Sequence, residues 1–416
     1  MRILHLVHSY APEAHGGTQS YVGRTVRAQR ERGHEVGVIT GSEDATRGRG
    51  VERLEVDGAP VFRITRDFAT ERLSGDLGSE SIGRMIVDIV REFRPDLAHL
   101  HHWHALDREA ISRIDGCGVP VVASLHDLFI TCPRHFRMPD ARRFCETDVA
   151  LSDCARCVAP DLGGAPLDWI EARLDERLTA LRRELGVAKK VLCMSERQRA
   201  FLKSLARFAD LEALVLSIGV PRASFEPFCT APRRSDRLRL VNWAGLDPRK
   251  GAHLLAAAAA LPELRDRVEV HFHGKDGDPA YMAELREAAS GAAIFFHGRF
   301  SEEDRAAFPV RYDVAVFPFL AFETHGLAVD EALAAGMPVI VCDRGAPETR
   351  LGGRGLSFRT GDVGALGAAI ASLLDDPDRL QALRDGEPRI LALEEHIEQL
   401  EGVYRAVLGD PNSGRS

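Results

Sequence analysis

The chain has 416 residues, 45% of them hydrophobic and 28% charged, with a formal net charge of -8. That length exceeds one ordinary core and points to two domains, and the composition describes a globular protein, not a disordered one. The acidic balance argues against a nucleic-acid partner, since phosphate binding wants a basic face, and no run of about 18 apolar residues reads as a membrane span.

The opening stretch MRILHLVH lacks the long apolar core and cleavage site of a signal peptide and reads as a first strand. A cytoplasmic setting is expected, with peripheral attachment to the inner face of the membrane left open. The eight cysteines then sit in a reducing compartment, where thiols and metal sites are commoner than disulfides.

After the first strand come a glycine loop at Gly16 and Gly17 and a helix reaching about Arg32. Strand-like runs return at EVGVIT, VFRIT, DLAHLHH, PVVASLH and KKVLCMS, with helical patterns between most of them. Short apolar runs separated by helices mean a parallel sheet covered on both faces. The pattern breaks over residues 216–237, a Pro/Arg-rich stretch read as an interdomain linker. It then restarts with LRLVNWAG, RVEVHFHG, AIFFHG, DVAVFPF and PVIVCDRG. The expected fold is α/β, two Rossmann-like doubly wound domains, closed by a helical segment over 388–408 with no strand after it. Ligands of such sheets bind at the carboxyl ends of the strands, so functional residues are sought just after strands.

After DVAVFPF, the stretch FETHGLAVDEALAAG sets Glu323 in a loop, a tight turn at Gly326, and a helix over about 327–335. Backbone N–H groups near Gly326 and Leu327 are left over by that helix and suit a phosphate or sugar oxygen. Glu331, a little over one turn further in, could accept from a ribose diol, and Glu323 from a sugar hydroxyl. Gly16 and Gly17 sit where a backbone can approach a diphosphate. WAGLDPRKG places Gly245, Arg249 and Lys250 after the first strand of the second domain, with Lys250 able to meet a diphosphate as a point charge. SLHD leaves His126 at a strand end. The plainer readings are a loop acid for Glu323, an exposed helix face for Glu331, a solvated helix start for Lys250 and a structural histidine at 126. Asp276 to Asp278 reads as a turn with a helix N-cap, with no metal assigned.

Together these segments resemble the family-four retaining glycosyltransferases of the GT-B fold, over nearly the whole chain. The most specific part is the Glu, seven residues, Glu spacing followed by EALAAGMPVI. The resemblance implies catalytic roles for His126 and Glu323 at the donor sugar, and donor binding by Gly16, Gly17, Gly245, Arg249, Lys250, His325, Gly326, Leu327 and Glu331, with Glu331 on the ribose. It also implies an acceptor-side domain over 1–218, a nucleotide-sugar domain over 219–387, and a C-terminal helix, 388–416, crossing back to the first. Leu246 follows Gly245 where the family usually has an arginine, and Arg249 is the candidate replacement. Ser217 and Ile218 stand where the usual Asn-Gly-Val turn begins.

The expected activity is transfer of a sugar from a UDP- or GDP-sugar to an acceptor hydroxyl or amine, with no catalytic metal and with front-face attack. A nucleotide-sugar epimerase and a donor-binding scaffold without turnover are the rivals. The acceptor is unknown, with acidic and lipid-linked molecules among the options.

Residues 128–168 do not fit the alternating pattern. They hold Cys132, Cys145, Cys154 and Cys157, spaced for one structural zinc, and arginines 134, 137, 142 and 143, which read either as an acidic-acceptor site or as solvated decoration. Free thiols, disulfides and an iron–sulfur cluster compete with zinc. Cys117, Cys193, Cys229 and Cys342 are scattered, and Cys193 and Cys342 read as small core residues.

Overall fold

The structure is a computed structural model that describes residues 1–13, 16–42, 44, 48–65, 80–221 and 237–409. The chain divides into two compact units. One comprises Met1–Arg137, Cys145–Ile218 and Glu394–Ser416, the other Met138–Phe144 and Gly219–Leu393. Residues 138–144, expected with the rest of the 128–168 insertion, thus group with the second unit, and the chain returns to the first at 394, not 388. Most of the expected linker, together with Cys229, lies outside the described residues.

In the first unit the strands are β1 (Arg2–Val7), β2 (Glu35–Gly41), β3 (Gly50–Val56), β4 (Ala59–Thr65), β5 (Leu97–Leu100), β6 (Val121–Leu125), β7 (Lys190–Cys193) and β8 (Leu214–Val215). They form one eight-stranded sheet in the order β3-β4-β2-β1-β5-β6-β7-β8. All pairs are parallel except β3 with β4. The central strands are buried along almost their whole length, as sheets covered on both faces require. The sequence reading has no counterpart for β3. It is an edge strand of alternating burial, joined to β4 by Asp57-Gly58, both at positive φ, the two-residue turn that suits a twisted hairpin.

The second unit repeats the plan with β10 (Leu238–Asn242), β11 (Val268–Phe272), β12 (Ala293–Phe296), β13 (Val314–Phe317), β14 (Val339–Cys342) and β15 (Gly355–Phe358), all parallel, in the order β12-β11-β10-β13-β14-β15. A two-stranded pair joins β9 (Gly219–Val220) to β16 (Leu391–Ala392). In both sheets the strand order reverses beside the first strand, between β1 and β5 and between β10 and β13. Each reversal parts the neighbouring connections to opposite faces and leaves a crevice at the carboxyl ends of those strands.

The helix Leu393–Val407 contributes to the core of the first unit. Tyr404 is fully buried, with its hydroxyl 2.6 Å from His99 Nδ1. Glu401, 2% exposed, accepts from Arg32 at 2.9 and 3.1 Å and lies 3.1 Å from His34 Nε2. His396 bridges the Tyr21 hydroxyl and the Ser217 carbonyl. Tyr404→Ala is expected to destabilise the first unit by about 3–5 kcal/mol through cavity formation, and Tyr404→Phe by about 1 kcal/mol. Thermal unfolding of the two variants checks this; a Tyr404→Ala melt matching wild type would contradict the core role of this helix.

Candidate functional site

In the second unit the site is built around the reversal of strand order. β10 ends in buried Asn242, whose side-chain amide donates to the Val316 carbonyl at 2.7 Å and so pins β10 to β13. Gly245 follows at φ +99, then buried Leu246 in the place of the family's arginine. Asp247 caps the short 3-10 turn Pro248–Lys250 by accepting from Arg249 N–H. The loop after β13 is strapped to this turn, because Leu320 and Ala321 N–H both donate to the Arg249 carbonyl, at 2.9 and 3.1 Å. The approach leaves no room for a side chain at Gly251, whose φ is +76; a Cβ there would lie 1.8 Å from the Pro318 carbonyl oxygen.

The strap brings two of the expected residues together. Lys250 Nζ forms an ion pair with Glu323 and sits 5.2 Å from the centroid of the Phe319 ring. Arg249 does not share that position. Its guanidinium lies on Asp247 through two hydrogen bonds of 2.8 and 2.6 Å, so its charge is already matched. The Glu323 carbonyl accepts from Ala346 N–H at 2.8 Å, across a turn whose Gly345 has backbone atoms of Glu323 within 2.8 Å of a would-be Cβ.

Gly326, at φ +89, starts the helix Leu327–Ala334 with no side-chain cap. Inside that helix Asp330 is buried, holds Arg350 at 2.6 Å and lies 3.4 Å from His325 Nε2. Burial pushes the Asp330 carboxyl up to about 6 although Arg350 opposes it. Arg350 also donates to the His325 carbonyl, which fixes the loop entering the helix. Glu331 pairs with Arg305 of the helix Glu302–Ala306, not with Lys250. Arg305 was not singled out in the sequence, where it sits in an ordinary charged helix start, SEEDRA. Asp278 caps the helix Pro279–Ala288 through Ala280 and Tyr281 N–H.

In the first unit, Gly16 is the N-cap of the helix Gly17–Glu31, with ordinary extended backbone, φ -139. A Cβ at Gly16 would meet only the end of the Gln19 side chain, so the loop keeps glycine here for openness, not for a special dihedral. His126, just past β6, lies 2.9 Å from His101 Nδ1 through its Nε2. Burial lowers its pKa to about 3, so the ring is neutral at neutral pH. The next residue, Asp127, accepts from His102 Nε2 at 3.1 Å and from Phe129 N–H at 2.8 Å.

Each of the four arginines of the insertion has an acidic or carbonyl partner. Arg134 donates to the Cys157 carbonyl and pairs with Asp161. Buried Arg137 donates to the carbonyls of Cys145 and Thr147. Arg142 pairs with Glu284, and Arg143 lies 3.7 Å from Asp140. The segment also has a small core of its own, in which Ala155 and Val158 of the helix Leu151–Val158 meet Ile170 and Leu174 of the helix Leu167–Val187. Cys132, Cys145, Cys154 and Cys157 form no disulfide among the described residues and are half-buried. Burial pushes the Cys154 thiol up to about 11, and the other three thiols add to the rise.

Among the described residues, two sets of potential ligand atoms converge within 4.8 Å, His5–His99–His101 and His102–Asp127–His135, and neither contains a cysteine. Neither is a ready metal site. His102 Nδ1 accepts from His104 N–H, so its proton is on Nε2, the nitrogen facing Asp127. Both ring nitrogens of His5, His99 and His101 are occupied by hydrogen bonds to one another, to His126, or to Gln29, Tyr404 and Ser124.

Residues 15–221 match the family described as Glycosyltransferase Family 4, and residues 237–376 match Glycosyl transferases group 1. A D-inositol 3-phosphate glycosyltransferase of Thermobispora bispora is 30% identical over 96% of this chain and 93% of its own length. Among solved structures, a sucrose-phosphate synthase from Thermosynechococcus elongatus superposes with a TM-score of 0.69 at 18% identity, covering 98% of this chain and 99% of that one. Anabaena HepE in complex with UDP and glucose gives 0.65 at 17% identity, covering 97% and 99%. The architecture is the GT-B fold, with two Rossmann-like doubly wound domains.

Gly251→Ala is expected to push the loop after β13 off the 3-10 turn and to lower stability by about 2 kcal/mol or more, from left-handed strain and the clash with Pro318. Chemical denaturation measures the loss; an unchanged midpoint would show that the strap tolerates a side chain.

Proposed function

The chain belongs to the family 4 glycosyltransferases, and from that premise we propose that it transfers a sugar from a nucleoside diphosphate sugar, a UDP- or GDP-sugar, to an acceptor hydroxyl or amine with retention of anomeric configuration. The observation that carries this reading is the Lys250–Glu323 pair, held at the strand-order reversal of the second sheet beside the helix beginning at Leu327.

An incoming diphosphate competes with Glu323 for Lys250. The cation then faces the leaving group, and the freed carboxylate accepts from a hydroxyl of the sugar. The helix-terminal N–H groups at Leu327 and Ala328 add donors for the same negative charge. Glu331, kept in place by Arg305, accepts from the ribose. Gly245 leaves open space for the close approach of the diphosphate to the backbone. His126 in the first unit contacts the sugar. Because the charge that grows in the transition state is on the departing diphosphate, donors aimed at it lower the barrier more than they tighten ground-state binding. No protein nucleophile is required: the departing phosphate takes the proton of the acceptor as it attacks from the same face.

A second reading, a donor-binding scaffold without turnover, is favoured by one feature. The arginine position is a buried leucine, and the Arg249 guanidinium is already held by Asp247. A melting screen against nucleotide sugars, followed by product analysis with and without acceptors, separates the readings. A stabilising donor at 100 times its Kd adds roughly 2.7 kcal/mol. Transfer supports the enzyme, binding without product supports the scaffold, and conversion of the donor alone would indicate an epimerase.

Glu323→Gln is expected to retain the fold and lose on the order of 10²–10³ in turnover. Near-normal turnover would return Glu323 to a structural role. Lys250→Ala is expected to weaken donor binding far more than Arg249→Ala, because Arg249 is neutralised by Asp247. Equal losses in a binding titration would show that both cations reach the diphosphate.

We also propose that the four thiols of the insertion take one structural zinc. What supports this is their electrostatic coupling around Cys154 and the paired Cys154 and Cys157 on one helix. Tetrahedral zinc–thiolate bonds of about 2.3 Å require the sulfurs to draw together from their present spacing. Metal analysis of protein purified without chelator should find one zinc per chain, lost in Cys154→Ser/Cys157→Ser. A fully folded, metal-free preparation would exclude it.

A further inference from the structure

Residues 137–145 of the insertion form a closed finger. Cys145 N–H donates to the Arg137 carbonyl at 2.8 Å, and the Arg137 guanidinium donates back to the Cys145 carbonyl at 3.0 Å. Arg137 is buried at this root and has φ +55, a left-handed conformation uncommon for a residue with a side chain. At the tip Asp140 accepts from the backbone N–H groups of Arg142 and Arg143, at 2.9 and 2.8 Å, which turns the chain back. Residues 138–144 belong to the second unit, and Phe144, the last before the root closes, is half-buried.

The Phe144 ring lies on the loop after β13. It stacks on Phe322, with centroids 5.8 Å apart and planes 23° from parallel. The Arg344 guanidinium lies over the Phe144 ring, 5.3 Å from its centroid, and donates to the Leu320 carbonyl at 2.8 Å. Two residues earlier, Arg142 pairs with Glu284 of the helix Pro279–Ala288. Those two side chains are half-exposed, and such surface pairs contribute little beside a stacked aromatic pair, so the ring is the firmer hold. Phe322 immediately precedes Glu323. Main-chain bonds fix the loop at Leu320, Ala321 and Glu323, on either side of the Phe322 ring. The peptide joining 322 to 323 is rigid, so clamping that ring limits how the plane tilts and with it the direction in which Glu323 leaves the chain.

We infer that Phe144 is a positioning residue: through Phe322 it sets the direction of the Glu323 carboxylate, so that a finger of the insertion completes the donor-sugar side of the second unit. This rests on the reading of Glu323 as a contact of the donor sugar. It gives the insertion a part in the reaction that its arginines do not supply, since each of them is already matched within the fold.

A double-mutant cycle tests it. Phe144→Ala should lower kcat/KM for the donor by about 10- to 100-fold, the scale of a misplaced catalytic group, and leave the Kd of free UDP or GDP within about twofold, because Lys250 is untouched. In the Glu323→Gln background the same substitution should cost no more than about twofold, since a residue that acts through Glu323 has nothing left to position. A residue that only supports the fold would lower both backgrounds alike. Phe144→Tyr, which keeps the ring, should restore most of the activity. Phe144→Leu keeps apolar bulk without the ring and should behave like Phe144→Ala, so the test stands even where the alanine variant melts early. Equal losses in the two backgrounds overturn the inference, and so does an unimpaired Phe144→Ala beside an impaired Glu323→Gln. A near-normal Glu323→Gln would instead remove the premise, and the inference with it. If the wild type binds donor without transferring it, the cycle is read on the affinity gained by UDP-glucose over UDP and by GDP-mannose over GDP. Phe144→Ala should then reduce that gain only while Glu323 is present, and a gain left untouched overturns the inference.

Discussion

Both units depend on the reversal of strand order beside their first strand. At that point a parallel sheet has no choice but to send successive connections to opposite faces, and the two strand ends are left with loops but no covering helix. In the second unit main chain bridges the gap, through the Arg249 carbonyl and two N–H groups of the loop after β13, and the Asn242 side chain ties β10 to β13. Everything else at that position follows. Gly251 must lack a side chain, Lys250 is turned toward Glu323, and the chain is delivered to Gly326 with the helix axis starting at the gap.

The two units handle charge and polarity differently at the equivalent place. The second unit holds its acids in opposite-sign pairs, Glu323 with Lys250 and Glu331 with Arg305, which stay partly accessible and are exchangeable for a charged ligand. The first unit buries imidazoles instead. Because burial keeps them uncharged, they satisfy one another through hydrogen bonds in place of ion pairs, and order there is an order of protons. An ion pair gives way when a better charge arrives; a line of neutral rings changes only if all its members change together.

The alternation of short apolar runs with helices made both sheets legible, because burial on both faces leaves a strand nothing polar to show. The helix after Glu323 was equally legible from glycine at each end. The edge hairpin was missed although its Asp57-Gly58 turn is a strong local signal, since β3 alternates polar and apolar residues and lacks the run that marked the others. Which charges pair with which left no trace. Arg305 and Glu331, Arg249 against Asp247, and the arginines of the insertion look alike as letters, and only the fold decides which are matched. DLAHLHH reads only as a strand, and nothing local says that His99 and His101 turn inward to meet Tyr404 and His5.

The helix carrying Tyr404 is separated in sequence from the rest of its unit by a whole second domain. During translation the strands of the first sheet all leave the ribosome by residue 215, but the side chains that close over His99, Arg32 and Tyr21 arrive only with residues 396–404. At about 5–20 residues per second that interval lasts roughly ten to forty seconds. For that time the nascent first unit carries an uncovered groove with buried-type polar groups facing water, while the second unit completes its own sheet. The native first unit is thus a late product of synthesis although it begins at the N-terminus, and a chaperone that guards the growing chain has a defined surface to hold until Tyr404 takes its place.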